Sequence, residues 1–284
     1  MMDASADGWD EPLRPIKGFM FDLDGTLVLG DRSGRGYQLL PGAAEVLGAL
    51  DARKIPFVIL TNGSAYPAAE QAPRLRAAGL PVRDEQMLTP SSVTAHVLSR
   101  AGVKSVLVLG SPGVGHALKA AGIEIRFTGE PGAEQAEAVY VGWHPDCGMK
   151  DIEAACQAIW NGAPLYVASD VPFFATRAGR TIGYSHAITA AIRSLTKARR
   201  IITGKPSSHA IRFVAAKLGC PIRSIGVVGD DPALEPGMAR KAGAVGFGVT
   251  TGLYKAEDWA KVPPAHRPHR LLRSVGDLLE LGVI

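Results

Sequence analysis

The chain has 284 residues, of which 46% are hydrophobic and 20% charged, so it has enough apolar material for one large domain or two modest ones. Its formal net charge of +4 is small and spread out, which argues against a nucleic-acid partner, and the densest basic run, at 197–200, is typical of a solvated helix end. No apolar run approaches the roughly 18 residues of a membrane-spanning helix, so no membrane partner is expected.

Three cysteines, an odd number without a CxxC pair, favour a reducing cytoplasm over a disulfide framework. We therefore expect a cytoplasmic protein. Residues 1–15 are polar and lack an apolar stretch, so we expect a flexible tail there and no secretion signal.

Short apolar runs alternate with helical patterns along the rest of the chain. Predicted strands cover 16–21, 55–60, 106–109, 138–141, 165–168, 224–228 and 244–249. Predicted helices cover 43–52, 93–100, 115–121, 152–160, 187–197, 208–218 and 275–281. Several strand runs are apolar at consecutive positions, as expected for strands that are covered on both faces. The alternation predicts an α/β fold with a parallel sheet.

Polar clusters stand at places where ligands bind in such folds. They are Asp22-Leu23-Asp24-Gly25-Thr26, Thr61-Asn62-Gly63-Ser64, Gly204-Lys205-Pro206 and Gly229-Asp230-Asp231. The first, second and fourth directly follow predicted strands. Because open parallel sheets bind ligands at the carboxyl ends of their strands, we expect the four clusters to meet at one site.

The first cluster carries two carboxylates, Asp22 and Asp24, which face the same side if the strand continues through both. Clustered negative charge is costly unless a cation or a proton neutralises it. A carboxylate can act as the nucleophile in phosphoryl transfer, and we assign that role to Asp22. Asp24 is then free for general acid–base catalysis. The spacing does not fit a calcium-binding EF-hand loop, which needs different residues at the following positions.

The other clusters supply the positive charge and hydrogen bonds that a phosphoryl group needs. Lys205 offers a point charge, and the Thr61 hydroxyl with the main-chain N–H groups of Asn62 and Gly63 can donate to phosphate oxygens. An all-oxygen ligand set selects Mg²⁺. The expected metal ligands are Asp22, Asp230 and the main-chain carbonyl of Asp24. Taken singly, each of the last three clusters is more often structural: an ordinary turn at Thr61 and Asp230, and an exposed lysine ahead of a helix at Lys205. Together, and in this order, they favour the functional interpretation.

In this order the four clusters resemble the motifs of the haloacid dehalogenase (HAD) superfamily. The resemblance implies a Rossmann-like parallel-sheet core and the phosphatases of the superfamily, with Asp22 as nucleophile, Asp24 as acid/base, and Thr61, Lys205 and Asp230 in the remaining motifs. In the family a second motif-four acid stands five residues after the first. Here Glu235 holds that place and Asp231 is an extra neighbour, so either could support the metal.

The 143 residues between Thr61 and Lys205 are too many for a loop, so we expect an inserted domain. A large α/β cap at this position resembles the NagD-like, para-nitrophenyl phosphatase branch. The predicted core is 1–89 and 199–284, and the predicted cap is 90–198. Candidate substrate contacts in the cap are Asp170, Arg177, Tyr184 and His186. An acid at 170 would disfavour an anionic leaving group or pair with a cationic one.

The sequence thus predicts a Mg²⁺-dependent phosphomonoester hydrolase that acts on a small phosphorylated metabolite through an aspartyl-phosphate intermediate. Two alternatives use the same residues: a catalytically idle protein that binds a phosphorylated ligand, and a phosphotransferase with an alcohol acceptor. The physiological substrate and the oligomeric state stay open. The resemblance allows a homodimer through the cap.

Overall fold

The computed structural model describes residues 13–30, 36–176 and 179–284; of the predicted tail, residues 1–12 lie outside these ranges. The chain divides into two compact units. The first unit comprises Met1–Leu60, Gln71–Leu88 and Ile211–Ile284, and the second comprises Thr61–Glu70 and Thr89–Ala210. The predicted insertion, 90–198, lies within the second unit.

The strands follow one another in the order β1 Gly18–Phe21, β2 Val28–Gly30, β3 Tyr37–Leu39, β4 Phe57–Leu60, β5 Met87–Leu88, β6 Ser105–Leu109, β7 Glu124–Arg126, β8 Ala138–Val141, β9 Leu165–Val167, β10 Phe173–Thr176, β11 Gly179–Ile182, β12 Arg200–Ile202, β13 Ile225–Gly229, β14 Val245–Val249 and β15 Arg270–Leu272. The α-helices are α1 Ala43–Ala52, α2 Ala68–Ala77, α3 Pro90–Ala101, α4 Pro112–Ala120, α5 Met149–Trp160, α6 Tyr184–Thr196, α7 Ser208–Leu218, α8 Glu235–Ala242 and α9 Ala256–Trp259. Short 3₁₀ helices lie at Asp84–Gln86, Ala133–Gln135, Ile222–Ser224, Pro264–His266 and Val275–Leu279.

The first unit is built on a parallel sheet of strand order β15-β14-β13-β1-β4-β5. From β1 the chain moves outward through β4 to β5 on one side, and later through β13, β14 and β15 on the other. The direction of winding therefore changes between β1 and β13, and this change creates the crevice in which such sheets bind ligands. Every residue of β1, β4, β13 and β14 is buried, which explains their uninterrupted apolar sequences.

The second unit contains another parallel sheet, of order β12-β9-β8-β6-β7. Successive strand residues face opposite sides of this sheet. Leu107 and Val139 pack in one buried cluster with residues of α5 and α6, whereas Val108 and Tyr140 pack in the other with residues of α3 and α4. A sheet covered on both faces by helices is the α/β architecture that the sequence predicts, and this prediction is confirmed.

The local predictions differ from the structure at three places. The basic run at 197–200 starts at a helix end, because Lys197 is the C-cap of α6, but its last residue, Arg200, already begins β12. A helix, α2, forms where none is predicted, although it contains Pro73. The segment predicted as a helix at 275–281 is a 3₁₀ turn, Val275–Leu279.

The three cysteines are free thiols, as the absence of a disulfide framework requires. Within the described residues, none of the helices combines the length and the apolar character needed to cross a membrane.

Candidate active site

Two buried carboxylates follow β1 and β13, the adjacent strands between which the winding of the first sheet changes direction. Asp22 comes directly after β1 and Asp230 directly after β13, and these strands pair in parallel with Phe21 opposite Val228. The N–H of Asp22 donates to the Val228 carbonyl over 2.9 Å, which continues the ladder one residue beyond β1. Asp22 is 8% exposed and Asp230 is 5% exposed, so both side chains are largely shielded from solvent.

Asp230 is enclosed by two glycines that leave no room for a side chain. A β-carbon at Gly25 would lie 2.4 Å from Asp230 Oδ2, and one at Gly252 would lie 1.9 Å from the same atom. Gly25 also has a φ of +82°, which disfavours other residues. The Leu253 N–H donates to Asp230 Oδ2 over 2.9 Å. The turn after Asp24 and the loop after β14 therefore hold the Asp230 carboxylate between them.

Asp24 differs from Asp22 in being exposed to solvent. Its Oδ1 lies 3.0 Å from the position that a β-carbon at Gly30 would take, so the side chain is directed toward β2. The two acids of the first motif thus have different surroundings, one buried and one open to solvent. This difference suits a nucleophile that must be shielded and an acid–base group that must exchange protons with water.

The two candidate supporting acids also differ. Asp231 Oδ1 accepts a hydrogen bond of 2.9 Å from the Ala233 N–H, so it stabilises the turn that leads into α8. Glu235 is 1% exposed, and its carboxyl lies against Gly229, where a β-carbon would come within 2.3 Å of Glu235 Oε2. Glu235 therefore packs beside the strand residue that precedes Asp230.

The acids produce a negative potential at this end of the first unit. Burial raises the pKa of the Tyr254 hydroxyl above its ordinary value, and the charges of Asp231, Asp258 and Asp230 raise it further. Asp22 and Asp230 supply oxygen donors of the kind that Mg²⁺ prefers, so this donor set fits the metal that the sequence predicts.

In the second unit, Asn62 fixes the backbone at Lys205. Asn62 Nδ2 donates to the Lys205 carbonyl over 3.0 Å, and the Lys205 N–H donates to Asn62 Oδ1 over 2.8 Å. Asn62 Oδ1 would lie 2.7 Å from a β-carbon at Gly204, so that glycine permits the close approach. Lys205 is 1% exposed and Thr61 is also buried. The Gly63 N–H donates to Thr61 Oγ1 over 2.9 Å, which closes a tight turn.

The candidate substrate contacts form two groups in the second unit. Asp170 bonds through one oxygen to Arg200 Nη2 (2.5 Å) and through the other to His186 Nδ1 (3.1 Å). The ring of Tyr184 meets the ring of Trp143 edge-on at a centroid distance of 4.5 Å. The negative charge of Asp170 is thus already partnered by a cation, which sequence reasoning did not anticipate. The fourth candidate, Arg177, lies outside the described residues.

Sequence reasoning also missed two positioning contacts. The bond pair between Asn62 and Lys205 joins residues far apart in the chain, and no local pattern signals it. The close approach of Gly252 to Asp230 had a signal, namely a glycine in the loop after an apolar strand, which commonly marks close packing of backbone.

Comparisons with known proteins agree with this architecture. A family model described as haloacid dehalogenase-like hydrolase matches residues 19–124, and a HAD-hydrolase-like model matches residues 202–278. The 5'-nucleotidase YutF of Bacillus subtilis is 27% identical over 246 residues, covering 86% of this chain and 91% of its own. The sugar-phosphatase AraL of the same organism is 26% identical, covering 96% and 95%. The structure of NagD from E. coli K-12 superposes with a TM-score of 0.82 at 26% identity, covering 95% of this chain and 100% of its own.

The chain therefore belongs to the haloacid dehalogenase-like hydrolases. It is a phosphatase of the branch that includes NagD and the p-nitrophenyl phosphatases, as the large insertion between Thr61 and Lys205 implied.

Proposed function

We propose that this phosphatase is a Mg²⁺-dependent hydrolase of small phosphorylated metabolites and that it works through an aspartyl-phosphate on Asp22. One observation supports this more than any other. Asp22 and Asp230, both buried, follow neighbouring parallel strands at the change of direction of the first sheet, with Asp230 enclosed by glycines. Such an arrangement concentrates oxygen ligands where these sheets bind their ligands.

In the first half of the reaction, a carboxylate oxygen of Asp22 attacks phosphorus and forms a new P–O bond. The bond between phosphorus and the substrate oxygen breaks, and Asp24 donates its proton to that leaving oxygen. In the second half, Asp24 takes a proton from water, and the water oxygen attacks phosphorus. The bond to Asp22 breaks, which releases inorganic phosphate and restores both carboxyl groups. Exposure of Asp24 gives the attacking water access to it.

A nucleophilic carboxylate and a phosphoryl group repel each other, so the reaction requires positive charge. Mg²⁺ held by Asp22, Asp230 and the Asp24 carbonyl supplies charge neutralisation when bound. Lys205 supplies a second positive charge, and the Asn62 side chain fixes the backbone that carries it. Thr61, with the main-chain N–H groups of Asn62 and Gly63, would serve the phosphate oxygens.

Of the two candidate supporting acids, we favour Glu235. It is buried beside Gly229, one residue before Asp230, whereas Asp231 already accepts a hydrogen bond within the turn that leads into α8. We propose that Glu235 orients the end of β13 that carries Asp230. Supporting residues of this kind commonly tune metal affinity.

We expect side chains of the second unit to select the substrate. Relatives are named for nucleotides and for sugar phosphates, so a panel of phosphomonoesters of both kinds is the appropriate screen. Because Asp170 is paired with Arg200 and His186, it adds little net negative charge. We therefore expect substrates with anionic or neutral leaving groups to be accepted, with Tyr184 and His186 as candidate contacts.

The decisive test is phosphate release from such a panel by the wild-type protein and by Asp22→Asn. We expect activity with Mg²⁺, its loss in excess chelator, and loss of turnover in a folded Asp22→Asn protein. Tight binding of a phosphorylated ligand without turnover would support the idle binding protein. Transfer of phosphate to an added alcohol in preference to water would support the phosphotransferase.

A homodimer through the second unit stays a prediction. Among the described residues of that unit, Met149, Trp160, Ile182 and Leu195 are large apolar side chains exposed by more than half. Light scattering after gel filtration measures the mass directly, and a monomer at micromolar concentration would contradict the dimer.

A further inference from the structure

A group of three side chains in the second unit has the composition of a transition-metal site. His144 and Cys147 lie in the loop between β8 and α5, and Asp151 lies in the first turn of α5. One ligand atom of each residue lies within 4.8 Å of the others. We propose that His144, Cys147 and Asp151, the loop cluster, bind one Zn²⁺ ion.

The separation of the His144 and Asp151 ligand atoms suits coordination better than a direct hydrogen bond. His144 Nε2 and Asp151 Oδ2 are 3.5 Å apart, at the outer limit for a hydrogen bond. Two ligands that each stand about 2.0 Å from a tetrahedral Zn²⁺ are separated by about 3.3 Å. An ion between these two atoms would therefore require only a small adjustment of the His144 and Asp151 side chains. Cys147 Sγ lies within 4.8 Å of both and would turn toward the ion.

The donors also select the metal. An imidazole nitrogen, a thiolate sulfur and a carboxylate oxygen suit Zn²⁺, whereas Mg²⁺ and Ca²⁺ prefer oxygen alone. Three protein ligands leave a fourth tetrahedral position for water. When the ion binds, the thiol proton of Cys147 passes to solvent and the sulfur–metal bond forms. The loop cluster is thus chemically distinct from the oxygen donors of Asp22 and Asp230.

The loop is held in place before any ion arrives. The Gly148 N–H donates to Asp151 Oδ2 over 2.8 Å, and the Cys147 N–H donates to the His144 carbonyl over 3.3 Å. The Trp143 N–H donates to Ser64 Oγ over 3.1 Å. His144 and Asp151 each expose 18% of the side chain, so the cluster is partly buried yet open to an ion from solvent. Such preorganisation lowers the cost of assembling the ligands.

The position of the loop cluster gives the ion a structural role. His144 is the next residue after Trp143, whose ring contacts Tyr184, a candidate substrate contact. An ion that joins His144 to the first turn of α5 would fix the loop on which Trp143 stands. We therefore expect Zn²⁺ to stabilise the second unit and not to take part in phosphoryl transfer.

The test is titration of the metal-free, full-length protein with Co²⁺ and with Zn²⁺. Co²⁺ bound to a thiolate has a charge-transfer absorption in the near ultraviolet, which an all-oxygen site does not give. We expect this band at one equivalent, its displacement by Zn²⁺, and no displacement by excess Mg²⁺. Cys147→Ser should abolish the band, whereas Cys220→Ser, a change at a free thiol in the first unit, should leave it intact.

Asp151→Asn provides a second variant, because an asparagine oxygen can still accept from the Gly148 N–H and preserve the start of α5. We expect it to weaken Zn²⁺ binding about tenfold or more while circular dichroism stays native. Absence of the thiolate band in wild type, or equal Zn²⁺ affinity in wild type and Cys147→Ser, would overturn the proposal. In that case the cluster is a helix cap beside an ordinary histidine.

Discussion

The bond pair between Asn62 and Lys205 gives the sharpest test of how the second unit positions its buried lysine. Asn62→Ala removes both bonds, of 3.0 and 2.8 Å, and leaves a main-chain N–H and a carbonyl of Lys205 without these partners in a buried place. Each lost bond costs about 1 kcal/mol and each unsatisfied group adds to this, so we expect the free energy of unfolding to fall by about 2 to 4 kcal/mol.

The catalytic effect should exceed the effect on substrate binding. If Lys205 supplies charge to the phosphoryl group, a displacement of about 1 Å costs roughly a hundredfold in rate. We therefore expect kcat/KM for p-nitrophenyl phosphate to fall by about that factor. Urea unfolding gives the stability, and nitrophenolate release at several substrate concentrations gives both kinetic constants.

Asn161 offers a matched control. Its amide donates one exposed bond of 3.1 Å to the Glu134 carbonyl at the end of α5. Asn161→Ala should therefore change the free energy of unfolding by about 0.5 kcal/mol or less and leave turnover unchanged. If Asn62→Ala resembled Asn161→Ala in both measurements, the reasoning on the Lys205 backbone would be refuted.

Three further predictions follow from the first unit. Gly252→Ala places a β-carbon 1.9 Å from Asp230 Oδ2, so we expect a loss of about 1 to 3 kcal/mol in unfolding experiments and a higher Mg²⁺ concentration for half-maximal activity. Excess chelator should abolish phosphate release, and added Mg²⁺ should restore it. Asp277→Asn should lower stability by about 1 kcal/mol or less at neutral pH. Burial opposes ionisation of Asp277, but hydrogen bonds from Arg273 outweigh it and hold its pKa below the ordinary value.

The sign of the pH dependence follows from that lowered pKa. Ionised Asp277 is favoured in the folded state, so its contribution is complete above its unfolded pKa, about 4, and is lost as the pH falls through the folded value. The free energies of unfolding of wild type and Asp277→Asn should therefore converge in acid, and a constant difference down to low pH would contradict the assignment.

For Gly252→Ala the control is Gly48→Ala, where a β-carbon meets nothing within 4 Å. Full activity in excess chelator would exclude the metal role.

The fold could be read from the sequence where burial dictates the pattern. Strands β1 and β13 are covered on both faces, so their apolar runs end where Asp22 and Asp230 begin, and the strand ends were predictable. Helix α2 was not, because Pro73 interrupts the helical pattern. A proline in a helix costs stability, which buried contacts such as that of Leu75 help to offset.

Long-range contacts account for the rest. The basic run at 197–200 was correctly placed at a helix end, but local patterns cannot show that Arg200 begins β12 and pairs with Asp170, 30 residues away. The same holds for the bonds between Asn62 and Lys205, which are 143 residues apart. The residue types at strand ends predict which chemistry the chain can perform. Which other side chains hold those residues in position depends on tertiary contacts that the local sequence does not show.

Detection of phosphate on Asp22 tests the central claim most directly. In Asp24→Asn, p-nitrophenyl phosphate should still phosphorylate Asp22, because nitrophenolate leaves without a proton, whereas hydrolysis of the intermediate should slow. Acid quenching in the presence of Mg²⁺, followed by peptide mass spectrometry, should find phosphate on the peptide that contains Asp22. Phosphate release by a folded Asp22→Asn protein at a rate near wild type, with no labelled peptide, would contradict the account.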